Sequence, residues 1–129
     1  MSVELPSKSV IRAIFRRQQE LFEKTNFECD ETRLGAALAW PRLMVTTQST
    51  NDAFDVAVSL LIGIASEKPF PEGNKRIAFT LAALTLRRNG WVLDITNEDV
   101  LRLMSAVTLE NITEEKAADY LRRKSISNK

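Results

Sequence analysis

Lys68-Pro69-Phe70-Pro71-Glu72-Gly73-Asn74-Lys75-Arg76 stands between two apolar helical patterns and dictates how they are joined. Before it, Phe54, Val56, Ala57, Val58, Leu60, Leu61, Ile62, Ile64 and Ala65 make a helix that is apolar almost all round, the pattern of a helix in the middle of a bundle. After it, Ile77, Ala78, Leu81, Ala82, Leu84 and Thr85 give the next helix one inner side. Two prolines and a glycine punctuate the stretch between them as a turn. The expectation is a central buried helix pair joined by this loop.

Outward from that pair the helical period continues. Ile11, Ile14, Phe15, Gln18, Leu21 and Phe22 fall at i, i+3, i+4, i+7, i+10 and i+11, an apolar stripe with one polar interruption, which predicts a helix over about Ser9 to Lys24. Asp30 is the N-cap expected for a short second helix carrying Leu34, Ala37 and Leu38 and stopping near Trp40-Pro41. Arg42 to Thr50 is β-branched and hydroxyl-rich without a helical period and reads as a loop or a short extended flap. Asn51 then caps the third helix. The fourth ends with Arg87 and Arg88 against the C-terminal dipole and Asn89-Gly90 as a left-handed cap. Trp91 to Ile95 reads as a brief extended piece. Thr96, with Asp99 three residues on, caps a fifth helix through Val100, Met104 and Val107. Thr113 caps a sixth, with Ile112 stapled against Ala117 and Leu121 inside. The fold class is all-α, a compact bundle of about six helices.

The 129 residues suit one domain spanning 1–129. A hydrophobic fraction of 44% and a charged fraction of 27% are those of an ordinary soluble globular protein. A net charge of +1 argues against direct binding of nucleic acid and against attraction to anionic lipid. Cys29 is the only cysteine and there is no histidine, so an internal disulfide and the usual zinc sites are excluded. Met1-Ser2-Val3-Glu4-Leu5-Pro6 has no basic stretch followed by an apolar one and does not read as a secretory signal. The longest apolar run, Ala53 to Ala65, is interrupted by Asp55, Ser59 and Gly63 and is shorter than the ~20 residues a bilayer requires. The expectation is a cytoplasmic protein with no membrane partner.

The central loop carries the chemistry. The first N–H groups of a helix have no partner within it, and the macrodipole places roughly half a positive charge there. Phosphate is the natural guest. Gly73 allows close approach of backbone, Asn74 is a candidate cap, and Lys75 and Arg76 put full positive charges where the dipole disfavours them unless an anion is bound. Glu72, just before the glycine, is a candidate ligand for a magnesium ion bridging to phosphates. The bland reading stands beside this one: a Gly-Asn pair is also plain capping, a Lys-Arg pair is also a solvated face, and Phe70 plugs the loop onto the bundle in either case. The Gly-x4-Gly-Lys-[Ser/Thr] and Gly-x-Gly-x-x-Gly patterns are absent.

These residues resemble the signature of the Fic/Doc proteins, His-x-Phe-x-[Asp/Glu]-[Gly/Ala]-Asn-[Gly/Lys]-Arg. The matches are Phe70, Glu72, Gly73, Asn74, Lys75 and Arg76, six of the seven defined positions, with Lys68 at the histidine. Leu34 through Pro41, Leu86-Arg87-Arg88-Asn89-Gly90 and Tyr120-Leu121-Arg122-Arg123 also resemble segments of Doc, the death-on-curing toxin branch. That branch fits better than the AMP-transferring Fic branch, which reads Gly-Asn-Gly-Arg with another arginine three residues on, where this chain has Lys75 and Phe79. The resemblance implies a helical toxin of a toxin–antitoxin pair. Such a protein transfers phosphate from ATP or another nucleoside triphosphate to a hydroxyl of the elongation factor EF-Tu, and the C-terminal helix of a Phd-like antitoxin, seated in a groove, blocks it. By the same resemblance Glu72 binds Mg2+, and Gly73, Asn74, Lys75 and Arg76 bind the phosphates. Self-inhibiting relatives carry [Ser/Thr]-x3-Glu-[Gly/Asn]. Here Glu110-Asn111 is preceded by Ala106 at the hydroxyl position, which implies inhibition by a separate protein.

Lys68 decides whether such a site turns over. The family's histidine takes the proton from the attacking hydroxyl, worth roughly 10²–10⁴ in rate. An ordinary lysine, with a pKa of about 10.4, is almost wholly protonated at pH 7 and a poor base. Three readings are open: a transferase disabled at this position by drift or by substitution, a pseudoenzyme that binds nucleotide or antitoxin without catalysis, and a working Lys68 that contacts a phosphate or serves as the base.

Overall fold

Ser7 opens the first helix by accepting the Val10 N–H on its hydroxyl, and the same device recurs along the chain. A computed structural model describes residues 3–128. Among them are six helices and two short strands: α1 (Lys8–Leu21), α2 (Glu31–Thr47), α3 (Ala53–Glu67), α4 (Asn74–Arg88), β1 (Trp91–Leu93), α5 (Asn97–Thr108), α6 (Glu114–Arg123) and β2 (Ser125–Ser127). Asp30, Asp52, Thr96 and Thr113 cap α2, α3, α5 and α6 as Ser7 caps α1, each satisfying an N–H that the helix leaves unpaired. The α4 helix has Gly73 at that position and no side-chain cap.

The all-round apolar helix is the centre of the molecule. Phe54, Val56, Ala57, Val58, Leu60, Leu61 and Ile64 of α3 are all buried, and α2, α4 and α6 pack around them. Ile77, Ala78, Leu81, Ala82 and Leu86 form the inner side of α4. The loop between α3 and α4 is thus held at one end of the most buried pair in the fold.

The second helix departs from the sequence expectation. It does not stop at Trp40-Pro41 but continues to Thr47, so that Arg42 to Thr47 of the segment read as a loop or flap form its last turns and Gln48 to Thr50 alone are loop. Pro41 has no N–H, so the Ala37 carbonyl loses its ordinary helical partner. The compensation comes from α3. A Cβ built on Gly63 would fall 2.4 Å from the Ala37 oxygen, so one of Gly63's own Cα hydrogens points at that carbonyl. Glycine lets the two backbones meet where proline has freed an acceptor, and Pro41 itself is buried.

Three smaller differences follow from tertiary packing. Asp52, not Asn51, caps α3, its carboxylate accepting the Phe54 N–H at 2.8 Å. The stripe of α1 leaves the core before its end: Ile11, Phe15 and Gln19 are buried, whereas Leu21 and Phe22 are 63% and 53% exposed because the helix outruns the core. The extended piece after Gly90 finds a partner that the sequence did not suggest. β1 pairs antiparallel with β2, Val92 opposite Ile126, and the Asp94 N–H donates to the Lys124 carbonyl beyond the ladder.

Candidate functional site

The loop from Lys68 to Gly73 is built around a buried phenylalanine. Phe70 is 3% exposed and stacks on Phe15 of α1, ring centroids 4.2 Å apart. Asn74, the first residue of α4, folds its amide back over the loop: its Oδ1 accepts the Phe70 N–H at 3.0 Å and its Nδ2 donates to the Phe70 carbonyl at 2.8 Å. The side chain is therefore a bridge across the loop rather than the helix cap that the sequence suggested. From the other side, the Asp30 N–H donates to the Pro69 carbonyl at 2.8 Å, tying the start of α2 to the same loop.

With Asn74 so occupied, the start of α4 stays open. Gly73 adopts φ 74°, a left-handed conformation that suits glycine, and offers no side chain to the N–H groups behind it. A helix start in this condition is receptive to an anion. Arg76 lies beside it. Its Nη2 would sit 2.8 Å from a Cβ on Gly73, so a larger residue there would displace the guanidinium. Lys75 is exposed in the same first turn.

The end of α1 contributes side chains that the loop alone does not reveal. Gln18 Oε1 accepts from Arg76 Nε at 3.0 Å, and the Arg76 guanidinium lies 4.2 Å over the Phe22 ring. Lys24 places its ammonium 3.6 Å from Glu72 Oε1. The sequence held one hint of this set, since Gln18 was the polar interruption in an otherwise apolar stripe.

Lys68 belongs to different surroundings. It ends α3 in a left-handed conformation, φ 50°, donating its N–H to the Ile64 carbonyl at 3.0 Å. Its side chain is exposed and lines a hollow of about 200 Å³ with Glu28, Asp30, Arg33, Pro69, Phe70 and Pro71. None of Gly73 to Arg76 lines that hollow. The buried Phe70 thus divides the loop, with Lys68 facing the start of α2 and Glu72 and Arg76 facing the end of α1.

A larger cavity of about 760 Å³ lies away from the loop, between Val3, Asp52, Phe54, Arg88, Trp91 and Arg122 among others. It holds none of the motif residues, and its two acids and three arginines include the paired Asp52 and Arg122. Size alone does not single it out; the open helix start with an adjacent cation is the candidate site. Cys29 offers no nucleophile, because burial and then the Glu31 carboxylate push its thiol upward and keep it protonated.

Among the described residues no three His, Cys, Asp or Glu side chains gather to hold a metal ion. Magnesium in nucleotide sites needs fewer, one or two carboxylates plus substrate phosphates. Glu72 is an exposed carboxylate that already attracts the Lys24 ammonium, and it borders the open helix start. This donor set fits a magnesium ion shared with a triphosphate. Glu72 could hold the ion and the first turn of α4 the phosphates.

Fold and loop together define a class: a small helical domain in which the central helix pair is joined by a loop that leaves a helix start open to an anion. The family model described as Fic/DOC matches residues 8–86, from the start of α1 into the last turn of α4. The chain belongs to the Fic/DOC family. Membership points to nucleotide-dependent group transfer in general, and proteins of this family generally bind nucleotide together with magnesium. Among curated proteins none matches this chain. No helix among the described residues is long and apolar enough to cross a membrane.

Proposed function

We propose that the protein is a Doc-like toxin of a toxin–antitoxin pair, built to transfer phosphate from ATP to a hydroxyl of a protein target such as EF-Tu, and impaired in that transfer by Lys68. The observation that carries this reading is the start of α4, the one helix of the six described that lacks a side-chain cap, with Gly73 left-handed and the Arg76 guanidinium beside it. In this role Gly73, Lys75 and Arg76 cradle the phosphates. Glu72 holds Mg2+, which when bound neutralises phosphate charge. Asn74 serves through its bridge to Phe70, which fixes the loop's shape.

Position 79 favours phosphate transfer over AMP transfer, since Phe79 packs against the core where an AMP-transferring relative offers a cation. A Phd-like antitoxin is the proposed inhibitor, its C-terminal helix seated in a groove. The second reading, a pseudoenzyme that binds without turnover, is favoured by one observation. Lys68 lines the hollow beside Glu28, Asp30 and Arg33 rather than the first turn of α4.

The test uses ATP labelled at the γ- or the α-phosphate, EF-Tu as acceptor, and the protein with and without Lys68→His. Transfer of γ-label by the histidine variant alone is the expected result, with a gain of at least 10²-fold over the unaltered chain. Label transfer by the unaltered chain would make Lys68 a working group. Transfer of α-label would mean AMP transfer. Failure of both forms to bind ATP in calorimetry would overturn the nucleotide reading altogether.

A further inference from the structure

Arg76 is held in place without a carboxylate partner among the described residues. Arg12, Arg16, Arg33, Arg102 and Arg122 all lie against carboxylates. Arg76 is fixed by neutral groups only, among the described residues: the Gln18 carbonyl oxygen at its Nε and the Phe22 ring across its face. Its charge is immobilised without being neutralised.

The orientation of Gln18 is itself determined. The Thr80 hydroxyl donates its proton to the Arg76 carbonyl at 2.8 Å, so Thr80 Oγ1 can only accept from Gln18, whose Nε2 donates to it at 3.0 Å. The amide oxygen is then turned to Arg76 Nε, at 3.0 Å. Three residues close a ring that starts and ends on Arg76. With Nε engaged, the two Nη groups are the donors left for a ligand, an end-on fork suited to two oxygens of one phosphate.

We infer that Gln18 of α1 and Phe22, the residue just after it, are positioning residues for Arg76, so that the anion site is assembled by the end of α1 as well as by the loop and α4. The inference rests on the nucleotide reading of that site. Immobilising a rotamer-rich side chain in advance removes an ordering cost from binding, and the expected consequence is about a 3- to 10-fold tighter hold on the phosphates.

Two readouts test it. The 15Nε–1H resonance of Arg76 reports the clamp without nucleotide, and calorimetry with ATP and magnesium reports its effect. Gln18→Ala is expected to return the Arg76 Nε–H to the shift and rapid exchange of a free arginine and to weaken ATP binding about 3- to 10-fold. In an Arg76→Ala background the same substitution is expected to change ATP binding no further. Gln18→Glu separates position from charge: the carboxylate still accepts from Nε, so the resonance stays protected, while ATP binding falls because Arg76 is now neutralised. An Arg76 signal that is already free in the unaltered protein, or a Gln18→Ala loss that persists without Arg76, would overturn the inference. If the unaltered protein binds no ATP, the nucleotide reading falls, and the resonance still decides whether Gln18 holds Arg76.

Discussion

Asn74 shows how a motif residue can be recognised and its physical work still be misjudged. Next to a glycine at a helix start it reads as a cap, and a cap would hold the N–H groups of α4. In the fold both halves of its amide are spent on the backbone of Phe70, which leaves those N–H groups open. The two roles give opposite results for Asn74→Asp. A cap tolerates aspartate, and the helix dipole welcomes the negative charge. A bridge needs the NH2 donor, and a carboxylate oxygen would instead face the Phe70 carbonyl. Asn74→Asp and Asn74→Ala are both expected to destabilise the fold by about 1–3 kcal/mol, read from urea midpoints, because part-buried polar groups of Phe70 lose their partners. A stabilised aspartate variant would restore the capping role. The identities of the loop residues were legible in the sequence because the motif is contiguous. The partners Gln18, Phe22 and Lys24 were not, because local periodicity does not say which distant side chain a helix end will meet.

Helix boundaries are set between elements as well as within them, and α2 is the instance. The rule that proline ends a helix is a statement about one chain segment losing one hydrogen bond and gaining one clash. Here the orphaned Ala37 carbonyl is covered from α3 by Gly63, twenty-two residues after Pro41, so the local rule yields to packing. The six helices themselves were legible from the 3.6-residue period and from Asp30, Thr96 and Thr113 as caps. The β2 strand was not, since Ser125-Ile126-Ser127 shows its pattern only when β1 lies beside it. The close approach of α2 and α3 gives a direct prediction. Gly63→Ala would drive a methyl to 2.4 Å from backbone oxygen, which no rotamer relieves, so the helices must separate. The expected loss is about 1–3 kcal/mol, as for other overpacked cores, with a lower urea midpoint and unchanged unfolding cooperativity. A neutral Gly63→Ala would mean that α2 passes Pro41 without this contact.

At the scale of the whole molecule, residues far apart in sequence are tied across the bundle. Asn89, at the end of α4, exchanges two hydrogen bonds with the backbone of Glu4. Arg122 of α6 pairs with Asp52 at the start of α3. Lys124, just beyond α6, lies 3.6 Å from Asp99 in the first turn of α5. The parts of the chain beyond the family match, β1 to β2, are therefore linked to one another and to the central helix by charge as well as by apolar contact. Asp99 makes that linkage measurable. Hydrogen bonding from Thr96 and the nearby Lys124 and Arg102 cations hold its carboxyl below the usual aspartate range, against the opposing effect of burial. A carboxyl that ionises at lower pH in the folded chain than in the unfolded one leaves the unfolded state with more bound protons between the two values. Its stabilising contribution is then complete above the unfolded value of about 3.9 and is lost as pH falls through the folded one. Urea midpoints followed from pH 7 to pH 2 should show the unaltered protein losing stability relative to Asp99→Asn below about pH 4. Raising the ionic strength should shrink the part of the difference owed to Lys124 and Arg102 and leave the part owed to Thr96, because exposed charge pairs are screened and a hydrogen bond at a helix start is not. Curves that stay parallel through the acid range would mean that Asp99 carries no such linkage.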